Sequence, residues 1–234
     1  MRTILLATAA FFAVSAQAQK ETETIEGNGK LVTKEVPVSS FESLKASGVY
    51  ELKLSQGNAE SVKIEADENL QPYFNVHNEG KQLVIEMKDT KNKNWKVKDK
   101  MRVYVTFKNL KEMDLKTVGS VNAETPLTFT DLDINNKSVG HVDLNLSANK
   151  LTLNNSSVGK VKLEGKAQNA VFTNSGVGNL QAGSFVVQTM SIDNTGVGGA
   201  EVNAEKELKV KDNMLGRVRN KGAAPVKKNN RVVI

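Results

Sequence analysis

The chain has 234 residues, of which 39% are hydrophobic and 5% aromatic, and it carries a formal net charge of +6 with no cysteine. That length allows one large or two small domains. The missing cysteine excludes disulfides and thiolate metal centres, and so few aromatic rings without a basic stripe speak against nucleic acid as a partner.

In chain order, the first element is a short basic start, Met1-Arg2-Thr3, followed by an apolar stretch from Ile4 to Val14 broken only by Thr8. Ala16-Gln17-Ala18 then places small residues where a signal peptidase reads them, so residues 1–18 read as a signal peptide cleaved before Gln19. A transmembrane anchor is the rival, but the stretch is too short for a hydrocarbon core of ~30 Å. No later segment is long or apolar enough to span a membrane. Without a cysteine at the cleavage site the acyl-anchored route is closed. The expected destinations are the periplasm, the outer membrane or the exterior. Loss of Arg2 with the signal lowers the charge from +6 to +5.

Residues 19–37, with Glu21-Thr22-Glu23-Thr24 and Gly27-Asn28-Gly29, read as a leader. Alternating apolar residues then predict strands over Tyr50 to Leu54, Val62 to Ala66, Phe74 to His77, Leu83 to Met87 and Met101 to Phe107. His77-Asn78-Glu79-Gly80-Lys81 suits a hairpin loop between the third and fourth of these. Lys91-Asn92-Lys93-Asn94-Trp95-Lys96-Val97-Lys98-Asp99-Lys100 holds five lysines and the only tryptophan. Lys91, Lys93, Trp95, Lys96 and Lys98 are therefore candidate contacts to an anionic glycan, with the indole stacking on a sugar face. The alternative is an exposed connection whose lysines protect a strand edge.

The second half is periodic. Gly119, Gly140, Gly159, Gly178, Gly198 and Gly216 recur at steps of 21, 19, 19, 20 and 18 residues, each after Val or, in the last copy, Leu. Asn136, Asn155, Asn174 and Asn194 stand four residues before their glycines. Between glycines, two alternating stretches flank a polar turn, as in Val142 to Leu146, Ser147 to Lys150, and Leu151 to Leu153. Glycine suits a corner that a Cβ would forbid, and stacked asparagines can form an amide ladder. The pattern predicts an all-β fold: a right-handed parallel β-helix with rungs of about 19–20 residues and a looser, partly antiparallel N-terminal cap. An antiparallel sandwich or barrel is the rival, which would want Asn-Gly or Asp-Gly hairpins that the periodic region lacks.

The repeat register puts Asp193 and Asp212 in one column, about 5 Å apart on adjacent rungs. Arg217 and Arg219 follow them. Two stacked acids beside arginines are the weak candidate for a Ca²⁺ or lyase-type centre, although a hard cation wants about six or more oxygens. His77 and His141 are the only histidines and share no ligand spacing. No Ser-centred elbow, Walker loop or HExxH occurs. Neither a catalytic residue nor a cofactor is expected.

Phe41 to Gly57, reading FESLKASGVYELKLSQG, and Val62 to Leu70, reading VKIEADENL, resemble the opening signature of the auto-transporter adhesin, head GIN domain family. The Gly-Ile-Asn triplet of that family corresponds to Gly48-Val49-Tyr50, a departure at the second and third residues. The resemblance runs from residue 38 to 222 and leaves 223–234 as a C-terminal tail. It implies an exported β-helical domain and a non-catalytic envelope or surface scaffold, possessing adhesin-like binding to envelope or host glycans or to other surface proteins. The alternative is a carbohydrate-active β-helix enzyme, a lyase or hydrolase of acidic glycans. The oligomeric state is not legible.

Overall fold

The computed structural model describes residues 23–88, 93–97 and 100–228; the signal peptide expected at 1–18 lies outside them. In the first half the strands are β1 (Glu23–Glu26), β2 (Leu31–Val36), β3 (Ser43–Val49), β4 (Glu51–Gln56), β5 (Ser61–Asp67), β6 (Phe74–Glu79), β7 (Gln82–Met87), β8 (Lys93–Lys96), β9 (Arg102–Phe107), β10 (Glu112–Val118) and β11 (Val121–Ala123). A single 3-10 helix, Glu68–Tyr73, joins β5 to β6. The second half holds β12 (Leu127–Asn136), β13 (Val142–Asn155), β14 (Val161–Asn174), β15 (Leu180–Asn194), β16 (Ala200–Asp212), β17 (Val218–Asn220) and β18 (Val226–Lys228). β1 and β2 lie within the segment read as a leader.

The expected right-handed parallel β-helix gives way to a different architecture. Sixteen strands hydrogen-bond into one mixed sheet that curls into a nearly closed, barrel-like wall. Two features account for the difference. Antiparallel ladders β2–β5–β9 and β6–β7 are woven into the same sheet as the parallel ladders, through β9 to β4 and β7 to β3. The polar segments read as turns between short strands also do not interrupt pairing. Ser147 to Lys150 lies inside β13, and Gly165 to Gln168 inside β14.

The way β13 bends is visible in its burial. Val142, Leu144 and Leu146 face inward on even positions, Leu151 and Leu153 on odd ones. The phase switches across Ala148-Asn149, where Asn149 has no paired partner in the register with β14. Thr130, Asn149 and Gln168 are skipped together on successive strands, so the wall bends there and side chains are re-aimed without any strand ending. The two flanks of each long strand thus stay in one sheet. β13 itself pairs with β11 through its first residues and with β12 through the rest.

Inside the wall runs one continuous apolar cluster from Ile25 to Ala224, filled by Phe107, Phe172, Phe185 and leucines such as Leu44, Leu52, Leu83, Leu115, Leu144 and Leu180. A buried asparagine column closes one corner. Asn136 donates to Asn155 at 2.8 Å, Asn155 to Asn174 at 2.7 Å, Asn174 to Asn194 at 2.6 Å, and Asn194 to the Gly216 carbonyl at 2.5 Å. Beside it the repeat glycines stack so closely that a Cβ on Gly159, at φ +134, would overlap the carbonyl oxygen of Gly140. Only glycine fits a left-handed corner packed backbone to backbone.

Candidate functional site

A cleft of about 840 Å³ opens where the starts of β3, β10 and β12 meet the end of β9. Phe41, Leu110 and Phe129 form its floor. Phe129 stacks on Phe107 at 5.8 Å between centroids and 18° between planes. A second cleft of about 680 Å³ shares Thr128 and Phe129 with the first and continues across Ser147, Ala148, Lys166, Gln168, Val186 and Gln188. The two form one groove over the bend of the curled sheet, because Thr128, Ser147, Lys166 and Val186 are register partners on successive strands.

Residues far apart in sequence hold the groove's rim. Gln56 donates its amide to the carbonyls of Lys108 (3.1 Å) and Thr128 (2.9 Å) and accepts from the Thr128 N–H at 2.8 Å. That amide ties β4, the segment after β9, and β12 together. Glu42 is clamped between Lys81 at 2.6 Å and Lys111 at 2.5 Å. Hydrogen bonds from Lys111 and Lys81, reinforced by their charges, hold its carboxyl down at about 2. Burial pushes the Glu60 carboxyl up, but hydrogen bonds from Ser40, its own backbone and Lys108 outweigh that and keep it below the ordinary range. Asp131 and Asp133 line the same cleft and have no ion-pair partner among the described residues. The groove therefore offers carboxylates, amides (Gln56, Asn109, Gln168, Gln188) and hydroxyls (Ser40, Thr128, Thr130, Ser147) around an aromatic floor.

The residues singled out in the sequence fall elsewhere. Lys91 and Lys98 lie outside the described residues. Lys93, Trp95 and Lys96 sit on β8, which among the described residues pairs with β1 alone, and their side chains are engaged there. Lys93 faces Glu23 at 3.4 Å and lies 5.3 Å from the Tyr73 ring centroid, and Lys96 faces Glu26 at 3.6 Å. Trp95 packs edge-to-face with Tyr73 at 5.1 Å, half-buried against the core. Asp193 and Asp212 do not stack. Asp193 is opposite Lys211 and ion-paired with it, while Asp212 is opposite Asn194. The cause is the irregular register between β15 and β16, at Gln181/Val186 and Val187/Thr189, across which the pairing offset falls from 20 residues at Gln181–Glu201 to 18 at Asp193–Lys211. No three acidic or histidine side chains gather as metal ligands among the described residues. His77 contacts Glu79 at 3.1 Å, and His141 is exposed.

The family model described as "putative auto-transporter adhesin, head GIN domain" matches residues 40–224. The chain belongs to this family. Its fold is similar to that of a putative adhesin from Bacteroides fragilis NCTC 9343, with 29% identity and a TM-score of 0.73, covering 88% of this chain and 100% of that one. Two structures from Parabacteroides distasonis ATCC 8503 share the fold at lower identity. One is a putative adhesin (24% identity, TM-score 0.64, covering 88% of this chain and 96% of that one). The other is a putative lipid binding protein (20%, 0.63, covering 89% of this chain and 100% of that one). No curated protein matches the chain. Among the described residues no helix is long and apolar enough to cross a membrane.

Proposed function

We propose that this head GIN domain protein is an exported, non-catalytic surface-binding protein whose groove over Phe129 takes a neutral glycan. One observation carries the reading: carboxylates, side-chain amides and hydroxyls converge around a buried aromatic floor in two clefts that share Thr128 and Phe129. Planar acceptors and donors match vicinal hydroxyls. The unpaired Asp131 and Asp133 disfavour an acidic glycan here. Export rests on the signal peptide read at residues 1–18, and the binding domain is assigned to residues 38–222.

The enzyme alternative finds little support in the groove. Glycoside cleavage needs one carboxyl raised to serve as acid beside one that stays ionised. Both groove carboxyls that shift, Glu42 and Glu60, are held low and paired with lysines. The test is a glycan array probed with the mature wild-type chain and with Asp131→Ala/Asp133→Ala. Wild-type binding to neutral glycans that the double variant loses supports the reading. Equal binding by both moves the site out of the groove.

A further inference from the structure

The valine that precedes each repeat glycine points out of the protein. Val118, Val139, Val158, Val177 and Val197 are each about half exposed, at 49–52%, and are joined one to the next by parallel bridges. Leu215 takes the sixth place. The Gly198 N–H donates to the Leu215 carbonyl just as that of Gly119 does to Val139 and that of Gly178 to Val197. Leu215 is 67% exposed and its neighbour Met214 is 92% exposed. With strands spaced at about 4.8 Å, this single file makes an aliphatic ridge about 24 Å long. A β-branched ladder supports strand pairing, but pairing alone does not call for an apolar side chain in water at six successive corners.

The two columns that immediately flank the ridge carry only positive charge. Two residues before each member stand Lys116, Lys137, Ser156, Ser175, Thr195 and Asn213. Two residues after stand Ser120, His141, Lys160, Asn179, Gly199 and Arg217. Neither column holds an acid. Lys116 meets Asp114 at 2.8 Å, whereas no ion pair engages Lys137, Lys160 or Arg217 among the described residues. The ridge lies on a different bend of the curled sheet from the glycan groove.

We propose that this ridge is a docking surface for an anionic lipid bilayer, with the aliphatic file entering the headgroup–acyl boundary and Lys137, Lys160 and Arg217 meeting lipid phosphates. Such surfaces combine a shallow apolar strip with flanking cations. A second copy is a poorer occupant. Stacked in either direction, two ridges bring cations towards cations or neutral residues and never towards an acid. A convex ridge also offers no pocket to an inserted peptide side chain, whereas it can sink into a soft interface.

The test is co-sedimentation of the mature full chain with vesicles of phosphatidylcholine, with and without phosphatidylglycerol. Binding only to the vesicles containing phosphatidylglycerol is expected, and it should weaken as salt rises. Val139→Thr/Val158→Thr/Val177→Thr keeps the β-branched shape and removes the apolar surface, so it should fold as the parent does. It should lower the vesicle affinity by about tenfold or more. Lys137→Gln/Lys160→Gln should flatten the salt dependence. Wild-type protein that ignores anionic vesicles overturns the proposal, as does unchanged binding by the threonine variant. A concentration-dependent dimer that the threonine variant dissolves, without vesicle binding, assigns the ridge to a second copy instead.

Discussion

Asn155 donates its side-chain amide to Asn174 at 2.7 Å within a column closed to solvent. Asn155 and Asn174 each donate to the next amide and accept from the previous one, and Asn155 also accepts from the Ser157 hydroxyl, so removing either leaves at least two buried partners unmet. Asn155→Ala and Asn174→Ala should each destabilise by about 1–3 kcal/mol in urea unfolding. Asn154→Ala removes an exposed pair with Asn135 and should cost about 0.5 kcal/mol or less. Equal effects at the buried and exposed sites would deny the column a structural role.

Gly159→Ala combines a φ of +134 with overlap onto the Gly140 carbonyl. A loss of about 3 kcal/mol or more in thermal or urea unfolding is expected, with poor soluble yield. Gly80 is the internal comparison, because its φ is +59 but a Cβ there meets nothing within 4 Å. Gly80→Ala should cost only about 1 kcal/mol. The reverse order would mean that the repeat glycines serve conformation alone and not close packing.

The Glu42 clamp has a defined pH window. Its carboxyl titrates at about 2 in the folded chain against 4.5 ordinarily. A lowered folded value gives a contribution fully present above about 4.5 and lost as pH falls towards 2. Carboxyl chemical shifts should place its midpoint near 2 in the wild type and move it upward in Lys111→Ala. A wild-type midpoint near 4.5 would mean that the clamp does not form in solution.

Trp95 is a packing residue in this fold, edge-on to Tyr73 and half-buried. Trp95→Ala should lower the melting temperature by several degrees, on the order of 2 kcal/mol, while leaving groove binding intact. Loss of binding at unchanged stability would return the glycan site to the lysine-rich stretch.

The local part of the fold was legible from residue patterns, and the global part was not. The alternation of Leu83 to Met87 and the glycine at position 80 mark the β6–β7 hairpin, because loop chemistry and burial act within a few residues. Val142, Leu144, Leu146, Leu151 and Leu153 likewise declare an inward face. The same alternation serves any all-β wall, so it does not say that β13 continues through Ser147 to Lys150 or that antiparallel strands join the parallel ones. The Asp193–Asp212 column fails for a similar reason, since the register irregularities between β15 and β16 place Lys211 instead of Asp212 opposite Asp193. The groove is least visible of all: Gln56 reaches Thr128 across 72 residues. No spacing rule joins Glu42, Glu60, Asp131 and Phe129. The valines of the glycine motif were visible as a period, but their outward direction depends on the corner geometry.

Chemical-shift mapping with a neutral oligosaccharide selected from the array tests the groove most directly. Titrating it into the isotope-labelled mature chain should shift the amides of Ser40, Asn109, Thr128, Phe129, Thr130, Ser147 and Lys166 together, and leave the sugar chain intact after prolonged incubation. Shifts confined to Lys93–Lys96, or steady shortening of the oligosaccharide, would contradict a non-catalytic binding groove over Phe129.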